Sequence, residues 1–264
     1  MNRIDSLFKK LKAAEKKAFV AYICAGDPSL KQTKEIVLAL EKAGADIVEL
    51  GVPFSDPLAD GVVNQLAAQR ALEAGATPLG VLQTVADIRT QSQIPIVLYT
   101  YYNPLFHLGL ENFLNQASQA GVDGILVLDL PPEESSREWP KTKKIQRIFL
   151  VAPTTPTGRM ASVAQHGEGF IYYVSRTGIT GMREDIAQDL SAQVAALRKH
   201  TSLPICVGFG ISNPEQAAAV ARTADGVVVG SAIVDQIAKN AHAPDIATKI
   251  QKNVHPLAEA VHGI

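Results

Sequence analysis

LKQTKEIVLALEKAGADIVEL, residues 30–50, contains the unit from which the rest of the chain is built. Its first part carries apolar residues at helical spacing, and Gly44 then supplies the expected C-terminal stop. DIVEL follows as a short, nearly continuous apolar strand. Strands of this kind alternating with helices argue a parallel sheet covered on its outer side. The same plan recurs in LENFLNQASQAG, where Gly121 is the stop, and in NPEQAAAVARTA.

Counting outward from this unit, strands are expected at Phe19–Cys24, Ile47–Leu50, Ile96–Thr100, Gly124–Leu128, Arg147–Val151, Phe170–Val174, Ile205–Val207 and Gly226–Val229. Eight strand–helix units in about 250 residues is the count of an α/β protein of the (β/α)8 or TIM barrel type. The rival is an open doubly wound sheet, but the turn after the first strand is CAGDPS and has no Gly-rich dinucleotide fingerprint. No linker-like stretch interrupts the chain, so residues 1–264 are read as a single barrel domain. Extra helices are expected before strand one (Ile4–Ala14), after strand two (Val62–Ala74 as well as Pro78–Thr90) and at the C-terminus (Ala247–Val261).

The 264 residues are 47% hydrophobic and 19% charged, with a formal net charge of -1. That composition supports a sizeable core and gives no basic field for nucleic acid. Lys9, Lys10, Lys12, Lys16 and Lys17 are interrupted by Leu11, Ala13 and Ala14, so they read as a solvated helix face. No apolar run approaches the roughly 18–20 residues of a membrane-spanning helix, and the amphipathic N-terminus has no signal-peptide core. Cys24 and Cys206 fall in strand-like segments and are expected as buried thiols in a reduced cytoplasm.

Chemistry in such barrels sits on the loops that follow the strands. Glu49 lies at the end of a buried strand facing that side. Either an Arg or Lys pairs with it, or burial favours its protonated form and it serves as an acid or base near neutral pH. Asp60 closes the Pro-stiffened loop GVPFSDPLADG and reads equally well as a turn former, a helix cap or a functional group. Gly178 and Gly181 follow strand six, Gly208 and Gly210 follow strand seven, and Gly230-Ser231 follow strand eight. Three successive Gly-bearing loops suggest backbone N–H groups converging on the phosphate of a small substrate.

No lysine falls within a strand, which disfavours a Schiff-base mechanism. Of the six histidines only His107 lies in a loop at the expected active end, and no metal-ligand spacing is present there. Carboxylate acid–base chemistry without metal or covalent catalyst remains.

ELGVPFSDPLADG, followed in order by YYNPLF, DLPPEES, SRTGITG, GFGISNPEQ and GSAIV, closely resembles the tryptophan synthase alpha subunit family over essentially the whole chain. That resemblance implies a barrel that cleaves indole-3-glycerol phosphate into indole and glyceraldehyde 3-phosphate. It implies Glu49 and Asp60 as the catalytic pair, and Gly181, Gly210, Gly230 and Ser231 as holders of the phosphate. By the same similarity Tyr172 and Thr180 support the carboxylates, and Tyr22, Tyr99 and Phe209 line the indole pocket. SRTGITGMRED is similar to a lid that closes over substrate. Pro53, Asp56, Pro57, Asn103 and Pro132 match contact surfaces for a beta subunit, with which an alpha2beta2 heterotetramer is implied. Pyridoxal phosphate belongs to that partner, so no cofactor is expected in this chain. Relatives that act alone and release free indole share the barrel and the carboxylates. A barrel without activity, kept to activate its partner, is the third possibility, and the intact carboxylate pair argues against it. The family usually continues after ADG with Pro and Ile before Gln. Here the run is Val62-Val63-Asn64-Gln65, which puts a polar group near the expected indole pocket.

Overall fold

A computed structural model describes residues 1–140, 144–174, 184–208 and 210–264, with the backbone alone over 184–189. Ser29 opens the first unit by accepting a bond from the Gln32 N–H, and Gly44 ends it in the left-handed conformation with φ 107°. The helix between them, Leu30–Ala43, buries Ile36, Val37, Leu40 and Ala43. The helical spacing read in the sequence is therefore the face turned to the sheet.

Eight parallel strands close into a barrel in chain order. They are β1 (Ala18–Cys24), β2 (Ile47–Gly51), β3 (Ile96–Thr100), β4 (Gly124–Val127), β5 (Gln146–Val151), β6 (Ile171–Val174), β7 (Ile205–Gly208) and β8 (Gly226–Val229). Each boundary lies within one residue of its expectation. β2 and β7 run one residue further, into Gly51 and Gly208, because these residues take their place in the backbone ladder beside Tyr99 and Val228. A glycine lacks the apolar side chain by which a strand is recognised in sequence.

The helices used below are α1 (Arg3–Ala13), α2 (Leu30–Ala43), α3 (Val62–Glu73), α4 (Pro78–Arg89) and α5 (Tyr102–Leu108). With the C-terminal helix Ile246–His262, the extra helices stand at the three expected places. Two of the stretches that follow strands run into helices: YYNPLFHLG contains α5, and DLPPEES opens the seven-residue helix Pro132–Glu138. Pro132 sits in the first turn of its helix, where its missing N–H costs nothing.

Successive strand residues alternate between two cores. Phe19, Ala21, Ile23, Val48, Leu50 and Leu98 pack outward against the helices. Val20, Ile47, Val97, Leu126, Ile148 and Val228 fill the inside of the barrel. α1 joins the inner core through Ile4, Phe8 and Leu11, with the Phe8 and Phe170 rings 5.9 Å apart. It is tethered to the starts of the strands: Asn2 donates to the Asp123 carbonyl at 2.8 Å and Arg3 pairs with the Asp123 carboxylate at 2.9 Å. The N-terminal mouth is thus plugged with apolar side chains, and the open mouth is the one at the strands' C-terminal ends.

Truncating the plug opens a cavity in the inner core. Phe8→Ala is expected to destabilise the protein by about 3 kcal/mol, measured as a fall in the urea unfolding midpoint.

Candidate active site

Two-residue alternation along β2 sends Glu49 to the same side as Ile47, into the barrel, with Tyr22 of β1 and Val97 of β3 as its ladder neighbours. Glu49 is 0% exposed, and neither carboxyl oxygen has a hydrogen-bond partner among the described residues. The other buried carboxylates among the described residues are both paired. Asp27 receives two bonds from Arg70, at 2.9 and 2.7 Å. Asp123 receives Arg3, Arg89 and the Ile96 N–H. Among the described residues no Arg or Lys pairs with Glu49, unlike these two. Burial pushes its pKa from the ordinary 4.5 up to about 8. At neutral pH it is a carboxylic acid able to give a proton, and it titrates within the working range.

Asp60 has the opposite surroundings. It does not cap α3: Gly61 occupies that position, and no side chain bonds the helix start. The carboxylate turns instead to β3, accepting from the Tyr99 hydroxyl on Oδ1 at 3.1 Å and from Tyr101 on Oδ2 at 2.8 Å. Tyr101 is itself held by the Ala59 N–H at 3.0 Å. Burial raises the Asp60 pKa, and Tyr101, Tyr99 and the Asn64 amide draw it back.

A cavity of about 430 Å³ opens at this end of the barrel. Asp60 and Asn64 lie on one wall with Tyr22 and Tyr99, and Leu128, Leu150 and Tyr172 lie on another. Gly210, Gly230 and Ser231 complete the lining. Glu49 lies close to Tyr22 and Tyr172, near enough that its ionised form would raise both phenols. Those two phenols can lie flat against the strands only because glycines stand beneath them. A Cβ on Gly51 would come within 2.5 Å of the Tyr22 hydroxyl, and one on Gly208 within 2.7 Å of the Tyr172 hydroxyl. Tyr22 and Tyr99 meet edge to face, with centroids 5.0 Å apart.

Gly210 adopts φ 68°. Gly230 precedes the helix Ser231–Lys239, whose first amides have no side-chain cap and face the cavity end of β8. Thr180, Gly181, Phe209 and the lid-like stretch SRTGITGMRED, apart from its last residues, lie outside the described residues. Among the described residues, no group of three or more His, Cys, Asp or Glu is placed to hold a metal ion. Cys24 and Cys206 are free and buried, as expected.

Of the expected partner-contact residues, Asp56 and Asn103 are exposed and Pro57 is half-buried, whereas Pro53 and Pro132 are buried. Around them stand large exposed apolar side chains that sequence reasoning passed over: Leu58 is 92% exposed and Phe106 66%. Tyr101 was also missed. The available signal was its position two residues beyond Tyr99, where extended backbone carries the alternation just past the end of β3. No described helix is long and apolar enough to cross a membrane.

A closed parallel barrel whose open mouth joins a neutral, unpartnered carboxyl to a second, hydrogen-bonded carboxylate defines a barrel enzyme of the acid–base class. The sequence profile described as Tryptophan synthase alpha chain matches residues 8–262. The tryptophan synthase alpha chain of Opitutus terrae is 51% identical over 250 residues, covering 94% of each chain. The crystal structure of tryptophan synthase subunit alpha from Legionella pneumophila superposes with a TM-score of 0.92 at 40% identity, covering all of both chains. A chain of the tryptophan synthase complex from Pyrococcus furiosus gives 0.81 at 35% identity, covering 92% of this chain and 98% of its own. The chain belongs to the tryptophan synthase alpha chain family, and it is a lyase of tryptophan biosynthesis.

The folded state holds the Glu49 proton up to about pH 8, whereas an unfolded glutamate releases it near 4.5. Folded protein therefore binds more protons across that window, so stability is greatest below it and falls as pH rises through it. Glu49→Gln removes the fall. Unfolding free energies of parent and variant from urea titrations should separate by roughly a few kcal/mol at the alkaline end, with the variant the more stable.

Proposed function

We propose that Glu49 and Asp60 divide the acid–base work of cleaving indole-3-glycerol phosphate into indole and glyceraldehyde 3-phosphate. The observation that carries this reading is the Glu49 carboxyl, buried, neutral at pH 7 and without a partner. Breaking the bond between indole C3 and the glycerol chain requires a proton on C3, and Glu49 supplies it. The resulting indolenine-like cation bears positive charge at the ring nitrogen. Asp60 accepts the ring N–H and stabilises that charge. Glu49, now a carboxylate, takes the proton of the adjacent side-chain hydroxyl as the aldehyde forms. The electrons of the broken carbon–carbon bond return to the ring, and the glutamate ends as it began.

The fit of the cavity to this substrate rests on its two walls. Tyr22, Tyr99, Leu128 and Leu150 offer a flat, largely apolar slot for the indole ring. Gly210, Gly230 and Ser231, with the uncapped amides of the helix that begins there, would hold the phosphate together with Gly181, and Tyr172 and Thr180 would support the carboxylates. Phe209 and SRTGITGMRED complete the reading as pocket wall and lid. Residues 1–264 act in it as one barrel domain, in the cytoplasm, without a cofactor of their own.

The indole passes to a tryptophan synthase beta subunit, which brings pyridoxal phosphate. Support comes from the Pyrococcus relative, a chain of a tryptophan synthase complex, and from the surface at the cavity mouth. Asp56, Pro57 and Asn103 stand there beside exposed Leu58 and Phe106, with Val62 and Leu66 of α3 also exposed. Pro53 and Pro132, being buried, shape the backbone of that surface from beneath. Apolar side chains in such number at one end of a barrel favour an obligate partner over a free monomer. An alpha2beta2 assembly completes the proposal.

Replacing Glu49 with Gln, or Asp60 with Asn, should lower kcat by about 10²–10⁴-fold with little change in KM, assayed as indole release. Parent-like turnover by Glu49→Gln would remove Glu49 from the chemistry. Adding a beta subunit should raise turnover of the parent chain; a high rate that ignores the partner would mark a lyase that acts alone.

A further inference from the structure

We propose that Tyr99 is a positioning residue: its hydroxyl, bonded to Asp60 Oδ1 while Tyr101 bonds Oδ2, fixes the plane of the carboxylate and sustains its charged form. The inference rests on the reading of Asp60 as acceptor of the substrate's ring N–H, and it assigns Tyr99 a task beyond lining the pocket.

Val97, Tyr99 and Tyr101 follow one another at two-residue intervals, and the two tyrosines reach Asp60 from the end of β3 and from the extended residue just beyond it. One phenol meets each carboxylate oxygen, at 3.1 and 2.8 Å. The terminal torsion of an aspartate is soft, so a single bond on one oxygen would leave the group free to turn. A bond on each oxygen removes that freedom. A carboxylate offers about four lone-pair sites. Two phenols, and the Asn64 amide as a third donor, leave room for a substrate N–H.

The remaining groups around Asp60, among the described residues, give its charge no help. Tyr22 and Cys24 approach it from β1, Tyr172 from β6, and Glu49 of β2 acts on the same tyrosines; none of these carries positive charge. Arg70, whose charge reaches Cys24, is engaged bidentately by Asp27. The Asp60 anion is thus sustained by neutral donors, and loss of one should be felt. The Tyr99 ring is independently fixed by its edge contact with Tyr22, so losing the hydroxyl does not require the ring to move.

The test is the pH dependence of kcat/KM for indole-3-glycerol phosphate cleavage by the full chain. Tyr99→Phe should move the acid limb upward by about 1 unit, with a several-fold loss at low pH recovered as pH rises. Tyr102→Phe, whose hydroxyl meets Glu138 outside the cavity, should leave limb and rate unchanged. An unmoved limb in a folded Tyr99→Phe overturns the proposal. Should that variant not fold, 3-fluorotyrosine at position 99 keeps the shape and strengthens the donor. The limb should then move down, and its failure to move overturns the proposal equally. Asp60→Asn separates the two levels. If it cleaves at the parent rate, the reading of Asp60 fails; if it collapses while Tyr99→Phe keeps the parent profile, only the role of Tyr99 fails.

Discussion

A glutamate in a closed parallel barrel has nowhere to turn, and this constraint organises the site. The ladder fixes which side of β2 each residue faces, and Ile47 already commits that side to the inner core. Glu49 must follow it inward, between Tyr22 and Val97. The plug of α1 seals the opposite mouth with Ile4, Phe8 and Leu11. Among the described residues the carboxyl therefore meets neither a cation nor a donor. An ionised group so placed would cost several kcal/mol, and the group stays protonated instead.

The second carboxylate shows how one cavity can hold two acids in different states. Asp60 is delivered by a loop, not a strand, and so escapes the two-residue rule. Its loop brings it to β3, where phenol donors reach both its oxygens. Both groups are desolvated, but only Asp60 has neighbours that favour its charge. Separation of two titratable groups by environment alone is how one site runs acid and base chemistry together.

The fold was legible because its signals are local and repeated: helical spacing, a glycine stop, an apolar strand. Boundaries slipped at Gly51 and Gly208, where the ladder continues through residues that carry no apolar side chain. Glu49 was legible as an anomaly, a charge in a buried strand, though its lack of a partner was not. Asp60 could not be separated from a helix cap on sequence alone, since Asp before Gly and an apolar helix is what a cap looks like. Only the direction of the side chain decides that, and direction is set by tyrosines some forty residues downstream. Leu58 and Phe106 went unnoticed because a single apolar residue says nothing in a sequence until its exposure is known.

The segment from Asp56 to Leu66 joins the cavity to the surface without any spacer. Leu58 is exposed to solvent, and the run from Ala59 to Asn64 that follows it lines the cavity, with Val62 exposed at the mouth. One short stretch thus serves two environments. α3, which continues the stretch, is held to the body by Asp27–Arg70 and by small buried side chains at Ala67, Ala68 and Ala71. Alanines make a shallow contact that a helix can shift across without leaving a large void. Tyr101, just beyond the end of β3, accepts the Ala59 N–H and donates to Asp60, while Tyr99 donates to the other carboxylate oxygen. The exposed part of the segment and the carboxylate therefore share their anchors on the barrel, so the position of one constrains the position of the other.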